Sequence, residues 1–227
     1  MRAAGAVLGA FAVLALGCDE QPVEELEHAR TPDAVMLVGD VPIFAAEVDE
    51  VTPLIALIEQ NASDAQLRRL ALTNVVLPRA LARGIAPADR EAARAQALAT
   101  LARLRGGEVI GPAPEGTSGG ERIEGQWSEL GLQVWYAAWN LPEGEWSEPI
   151  EDAGRFVLVK RIGRVDAPVP GATKFQVEVA SFPWLDARTA GAQVEAAYDK
   201  VRLEILDPDW RTYVPELTQY RMGARKP

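Results

Sequence analysis

Residues 140–162, NLPEGEWSEPIEDAGRFVLVKRI, constrain this chain more than any other stretch. They read as the end of a helix, a turn, a short extended piece, a turn bearing Gly154, and a strong strand that continues to Val165. With helical patterns on either side, the expectation is an α+β fold: a helical N-terminal region, then a small domain of strands and helices.

The helical region is legible in its periods. A strand over 34–38, a tight turn at Gly39-Asp40 and a second extended piece over 41–44 open the domain. From Ala46 the spacing changes, and Val48, Val51, Leu54, Ile55, Leu57 and Ile58 fit one face of a helix. Ser63 or Asp64 supplies the N-cap of the next helix, whose stripe is Leu67, Leu70, Ala71, Val75 and Leu77. Pro78 predicts a kink or break there, with a short continuation to Arg83 before Gly84. The clearest helix starts at Pro87 and stops at Gly106-Gly107. Residues 108–126 read as loop, and 127–141 as one helix with Leu130, Val134, Ala137, Ala138 and Leu141 on its apolar face. After a proline-bearing link, KFQVEVASFPWL reads as a strand with Phe175, Val177 and Val179 on its buried side. A last helix over 187–206 and a tail that docks on the body complete the chain. The expected organisation is 34–86 for the N-terminal helical region, 87–165 for the sheet-bearing domain and 166–227 for the C-terminal strand, helix and tail.

Two residue counts exclude much chemistry. The 227 residues contain one cysteine, Cys18, and one histidine, His28. No internal disulfide and no Cys/His zinc cluster can be built from them, and a Ser-His-Asp or Cys-His mechanism would have to recruit His28 from an acidic, tether-like segment. No cofactor or metal is implied. The formal net charge of -10 repels phosphate backbones, so nucleic acid is not an expected partner. Glu145, Glu148, Glu151 and Asp152 read as a solvated face around a turn, and GTSGGERIEG lacks the Lys-Ser/Thr of a phosphate loop. Trp127, Trp135 and Trp139 read as core packing, Trp146 and Trp184 as the more exposed tryptophans, and Arg221, Arg225 and Lys226 as a solvated basic end.

The N-terminus reads as an address. One positive charge at Arg2 and an apolar run from Ala3 to Leu16 make residues 1–17 a secretory signal peptide, too short to span a bilayer comfortably. The ending LALGC resembles a bacterial lipobox, which implies cleavage before Cys18 and lipid on its sulfur. Residues 18–33 then form an acidic tether that includes His28. The expected location is the bacterial cell envelope, lipid-anchored and facing the periplasm.

Two further regions resemble one family. LVGDVPIFAAEVDEV and the helix carrying LRRLALTNVVLPRALARG resemble the N-terminal elements of the SurA-like and PrsA-like exported chaperone-isomerases. Ala137, Ala138, Trp139, Asn140 and Leu141, then Gly144, Ser147, Pro149 and Ile150, then Gly154 to Leu158 resemble the second half of a parvulin-type prolyl isomerase domain. The resemblance covers most of 34–162, with its specific motif over 137–160. It implies a parvulin-like domain over 87–165, an antiparallel sheet flanked by helices with a central strand at 155–161. It also implies a proline-binding surface at Leu130, Val134, Trp139 and Phe156, and unfolded or nascent envelope proteins as partners. Phe156 stands where the family carries a catalytic histidine. The family's first strand is missing before Pro87, and KFQVEVASFPW looks like a displaced version of it without its histidine.

Three readings follow. The first is a lipid-anchored folding factor that binds unfolded envelope proteins with weak or no isomerase activity. The second is an active peptidyl-prolyl cis-trans isomerase, and the third is a non-enzymatic envelope scaffold lipoprotein.

Overall fold

A computed structural model describes residues 33–109 and 120–224. The signal sequence, Cys18, His28 and all but the last residue of the tether lie outside the described residues, as do Arg225 and Lys226.

The chain opens as β1 (Ala34–Val38) and β2 (Val41–Phe44), an antiparallel hairpin. Its turn is made by Gly39 at φ +59°, a conformation that costs a side-chain-bearing residue but not glycine. Helix α1 (Ala45–Ile58) follows directly, burying Val48, Val51, Leu54 and Ile55, four of the six residues of its expected face. Ser63 caps α2 (Asp64–Ala71) by accepting from Gln66 N–H while the Gln66 side chain accepts from Ser63 N–H. That reciprocal pair is a capping box, and the spacing Ser-x-x-Gln announced it.

Pro78 does not break the helical path as expected. The chain widens into a π-turn (Leu72–Val76), in which Leu77 N–H reaches back to Leu72 C=O, and then tightens into α3 (Leu77–Ile85). Pro78 falls in the first turn of α3, where its missing N–H removes little. The helix then runs through Gly84 to Ile85. Helix α4 (Pro87–Arg105) has the limits its sequence predicts.

The second sheet begins inside the stretch expected to be loop. Its first strand, β3 (Glu121–Gly125), is an edge strand with only Ile123 apolar, so it carries no alternating pattern to read. The expected single helix over 127–141 is two, α5 (Trp127–Leu130) and α6 (Leu132–Asn140), separated by Gly131 at φ +81°. The stretch 140–162 folds as it reads. Gly144 at φ +84° donates to Arg161 C=O, and Ser147 N–H donates to Val159 C=O. Ser147 Oγ accepts from Val159 N–H. Then β4 (Ile150–Asp152) turns through Gly154 into β5 (Arg155–Val165).

Strand β6 (Lys174–Pro183) pairs antiparallel with both β5 and β3, which gives the sheet order β3-β6-β5-β4. Helix α7 (Ala190–Tyr198) ends earlier than expected, and LEI at 203–205 forms β7 against β1 instead of the last turns of a helix. A 3-10 turn (Pro208–Tyr213) and α8 (Glu216–Arg221) dock as expected, burying Trp210, Val214 and Met222. Arg221 is no solvated cation: it bonds Asp199 and Glu195. The result is an α+β fold with two antiparallel sheets, β2-β1-β7 and β3-β6-β5-β4.

The larger sheet is covered on both sides. Phe156 and Phe182 are paired across β5 and β6 and point toward α4, whose Arg90 guanidinium lies 5.5 Å over the Phe156 ring. Phe175, seven residues before Phe182 on the same strand, points the other way and meets Trp135 of α6 at 5.9 Å. Trp135 is fully buried, its Nε1–H donating to Thr173 C=O. The tryptophan expectation partly reverses. Trp184 is buried and donates to Ala82 C=O, Trp146 is half-buried, and Trp127 is the more exposed one at 36%.

Candidate functional site

One pocket of about 230 Å³ is walled by three elements. The π-turn and the start of α3 contribute Val75, Pro78 and Arg79. The α5–α6 junction contributes Leu130, Gln133 and Val134, and the β4–β5 turn contributes Asp152 and Arg155. Gly131 turns α5 into α6 at this wall with φ +81° and ψ 146°, a combination open essentially to glycine.

The lining is mixed, with five polar or charged residues (Asn74, Arg79, Gln133, Asp152 and Arg155) among its twelve. Arg155 and Asp152 neutralise each other, with Nε and Nη2 both 3.0 Å from Oδ2. Arg79 and Gln133 are different. Arg79 Nε and Gln133 Nε2 are both shut off from solvent, and neither has a hydrogen-bond partner among the described residues. Burial pushes the Arg79 guanidinium below its usual range, offset in part by the charges of Glu151 and Asp152. A buried donor with no acceptor costs free energy.

Of the four residues expected to form a proline-binding surface, the structure brings two together. Leu130 and Val134 share this pocket. Phe156 does not line it: the ring is 3% exposed, packed 5.1 Å from Trp184 and capped by Arg90. Trp139 lies elsewhere on α6, 5.2 Å from Trp135 and under Arg164 at 4.5 Å.

On the α4 side of the sheet sits a cluster that the sequence reading placed in solvent. Glu151 is paired with Phe156 across β4 and β5. Its carboxylate accepts from Arg83 (2.8 and 3.1 Å) and from Arg90 (3.1 and 2.9 Å). Arg83 also donates to Glu47 of α1 at 2.6 Å. Burial alone would raise the Glu151 carboxyl, but the bonds and charges of Arg90 and Arg83 bring it below the usual carboxylate range. Arg83 is correspondingly driven above its ordinary value: the Glu151 and Glu47 bonds outweigh its desolvation. This is a latch joining α1, α3, α4 and β4, with every member satisfied, and it leaves no group free for chemistry. Arg79 and Arg83 are four apart in a helix that buries Leu77, Ala80, Leu81 and Ala82, and that spacing was the available signal for both features.

Among the described residues no group of three or more His, Cys, Asp or Glu side chains is placed to hold a metal ion, and no helix is long and apolar enough to cross a membrane. No protein-family model, curated protein or solved structure matches the chain.

Proposed function

We propose that this chain is an exported, lipid-anchored folding factor of parvulin-like descent. It binds unfolded envelope proteins and has weak or no prolyl isomerase activity. The observation that carries this reading is the pocket at Leu130 and Val134. It contains two of the residues to which the family resemblance assigns proline binding, and no histidine is among its described lining residues. The place of β6 also supports it. The strand that resembles the family's missing first strand lies between β3 and β5, and it sets Phe182 opposite Phe156.

Prolyl isomerisation requires only that the amide twist, over a barrier of about 18–20 kcal/mol. A partly apolar pocket lowers that barrier somewhat by favouring the less polar twisted state, and it binds chains whether or not it turns them over. The lipid on Cys18 would hold the pocket near the membrane surface, where exported chains emerge unfolded.

The test is a paired assay on residues 19–227: isomerisation of several X-Pro peptides and suppression of client aggregation in the same sample. Suppression with turnover near background is expected. Strong turnover, lost when Leu130 or Val134 is made charged, would make the protein an active isomerase. Silence in both assays would favour the scaffold.

A further inference from the structure

We propose that β3 is a self-pairing edge, through which two copies of this chain join their larger sheets antiparallel about Ile123. The inference concerns a surface other than the pocket and stands whether or not peptides enter there.

The edge is open. Among the described residues β3 pairs with β6 alone, so one side of its backbone has no strand to bond. The other sheet edges match themselves poorly. Strand β2 carries Pro42, which has no N–H to give. Strand β7 is three residues whose Leu203 N–H already donates to Met222 C=O, and β4 is three residues, two of them acidic.

Charge sets the register. Side chains alternate along a strand, so exposed Arg122 and Glu124 share one face of β3, and half-buried Ile123 shares the other with Val177. Glu178 stands opposite Arg122 on β6, but its carboxylate lies against Gly120. Neither Arg122 nor Glu124 forms an ion pair with a described residue. An antiparallel pair that keeps the two faces aligned is centred on a single residue. Centring it on Arg122 or on Glu124 sets like charges face to face. Centring it on Ile123 sets Arg122 against Glu124 of the second copy, twice by symmetry, and joins the two Ile123 side chains beside Val177. Glu121 then falls opposite Gly125, where the Glu129 side chain fills the space a Cβ would take. That meeting of two acids opposes the pair, and an edge of five residues is short, so the association is weak.

The experiment is sedimentation velocity of the full-length chain in density-matched detergent, from about 10 µM to about 1 mM, where a weak interface becomes occupied. A monomer–dimer equilibrium is expected. Arg122→Glu alone and Glu124→Arg alone should each weaken it about ten-fold, since symmetry makes two like-charge pairs from one substitution. An equimolar mixture of the two variants should recover dimer, as should the chain carrying both substitutions, because each restores opposite charges at both positions. Glu121→Gln should tighten the dimer several-fold. A monomer at every concentration overturns the proposal. So does a dimer that the single reversals leave unchanged, or a loss that neither the mixture nor the double variant recovers.

Discussion

A carboxylate that gives up most of its water must find cations or lose its charge, and Glu151 finds two. Its partners are 61 and 68 residues away in the chain, which is why a run of acids around a turn read as solvated. Nothing local distinguishes Glu151 from Glu148, whose contact with Arg105 is between exposed side chains. Glu151→Gln keeps the shape and removes the charge, leaving Arg83 with Glu47 and Arg90 with Glu91. Breaking a buried pair costs roughly 3–5 kcal/mol. Because the Glu151, Arg83 and Arg90 side chains keep 13–21% exposure, the expected loss is smaller, about 2–3 kcal/mol, read as a lower urea midpoint. The pH dependence has a definite sign. The folded-state value of Glu151 lies below the unfolded value of about 4.3. Its contribution is therefore complete above that pH and is lost as pH falls through the depressed folded-state value. The wild type should lose stability over that acid range more steeply than Glu151→Gln.

Elements whose residues meet mostly their own helix were legible. The limits of α4 and the cap of α2 follow from Pro87, Gly106 and the Ser63–Gln66 pair, all local signals. Elements defined by a distant partner were not. Strand β3 has one apolar residue because its other edge is open, and β7 is three residues that become a strand only against β1. The corner at Gly131 was hidden for a related reason. A helical pattern continues across it, and only packing against the rest of the fold calls for the turn. The pairing order carries a prediction. Strand β3 has β6 as its partner in the sheet, and β5 has β6 and β4. A chain stopped at Val165, the expected end of the sheet-bearing domain, leaves β3 unpaired and exposes the apolar residues that β6 covers. Residues 87–165 alone should show no cooperative thermal unfolding and no dispersed amide spectrum. A folded spectrum from that fragment would mean that β6 is dispensable.

At the scale of the whole molecule, the C-terminal third completes both sheets, giving β7 to the smaller and β6 to the larger. The pocket depends on that assembly, since its walls come from three stretches of sequence. Two of the four expected site residues, Leu130 and Val134, were named by the family resemblance, and they line one pocket from different helices, α5 and α6. Arg79 and Gln133 were not, since a polar residue's lack of a partner is a fact of three dimensions. Phe156 was placed by its motif, but its burial beneath Arg90 depended on which face of β5 it took. Methyl-resolved NMR of the labelled protein titrated with a proline-containing peptide tests most directly whether peptides enter at Leu130 and Val134. Shifts concentrated at the methyls of Val75, Leu130 and Val134 are the predicted result. Shifts confined to exposed methyls such as those of Val165 and Leu217, with the pocket unchanged, would contradict it.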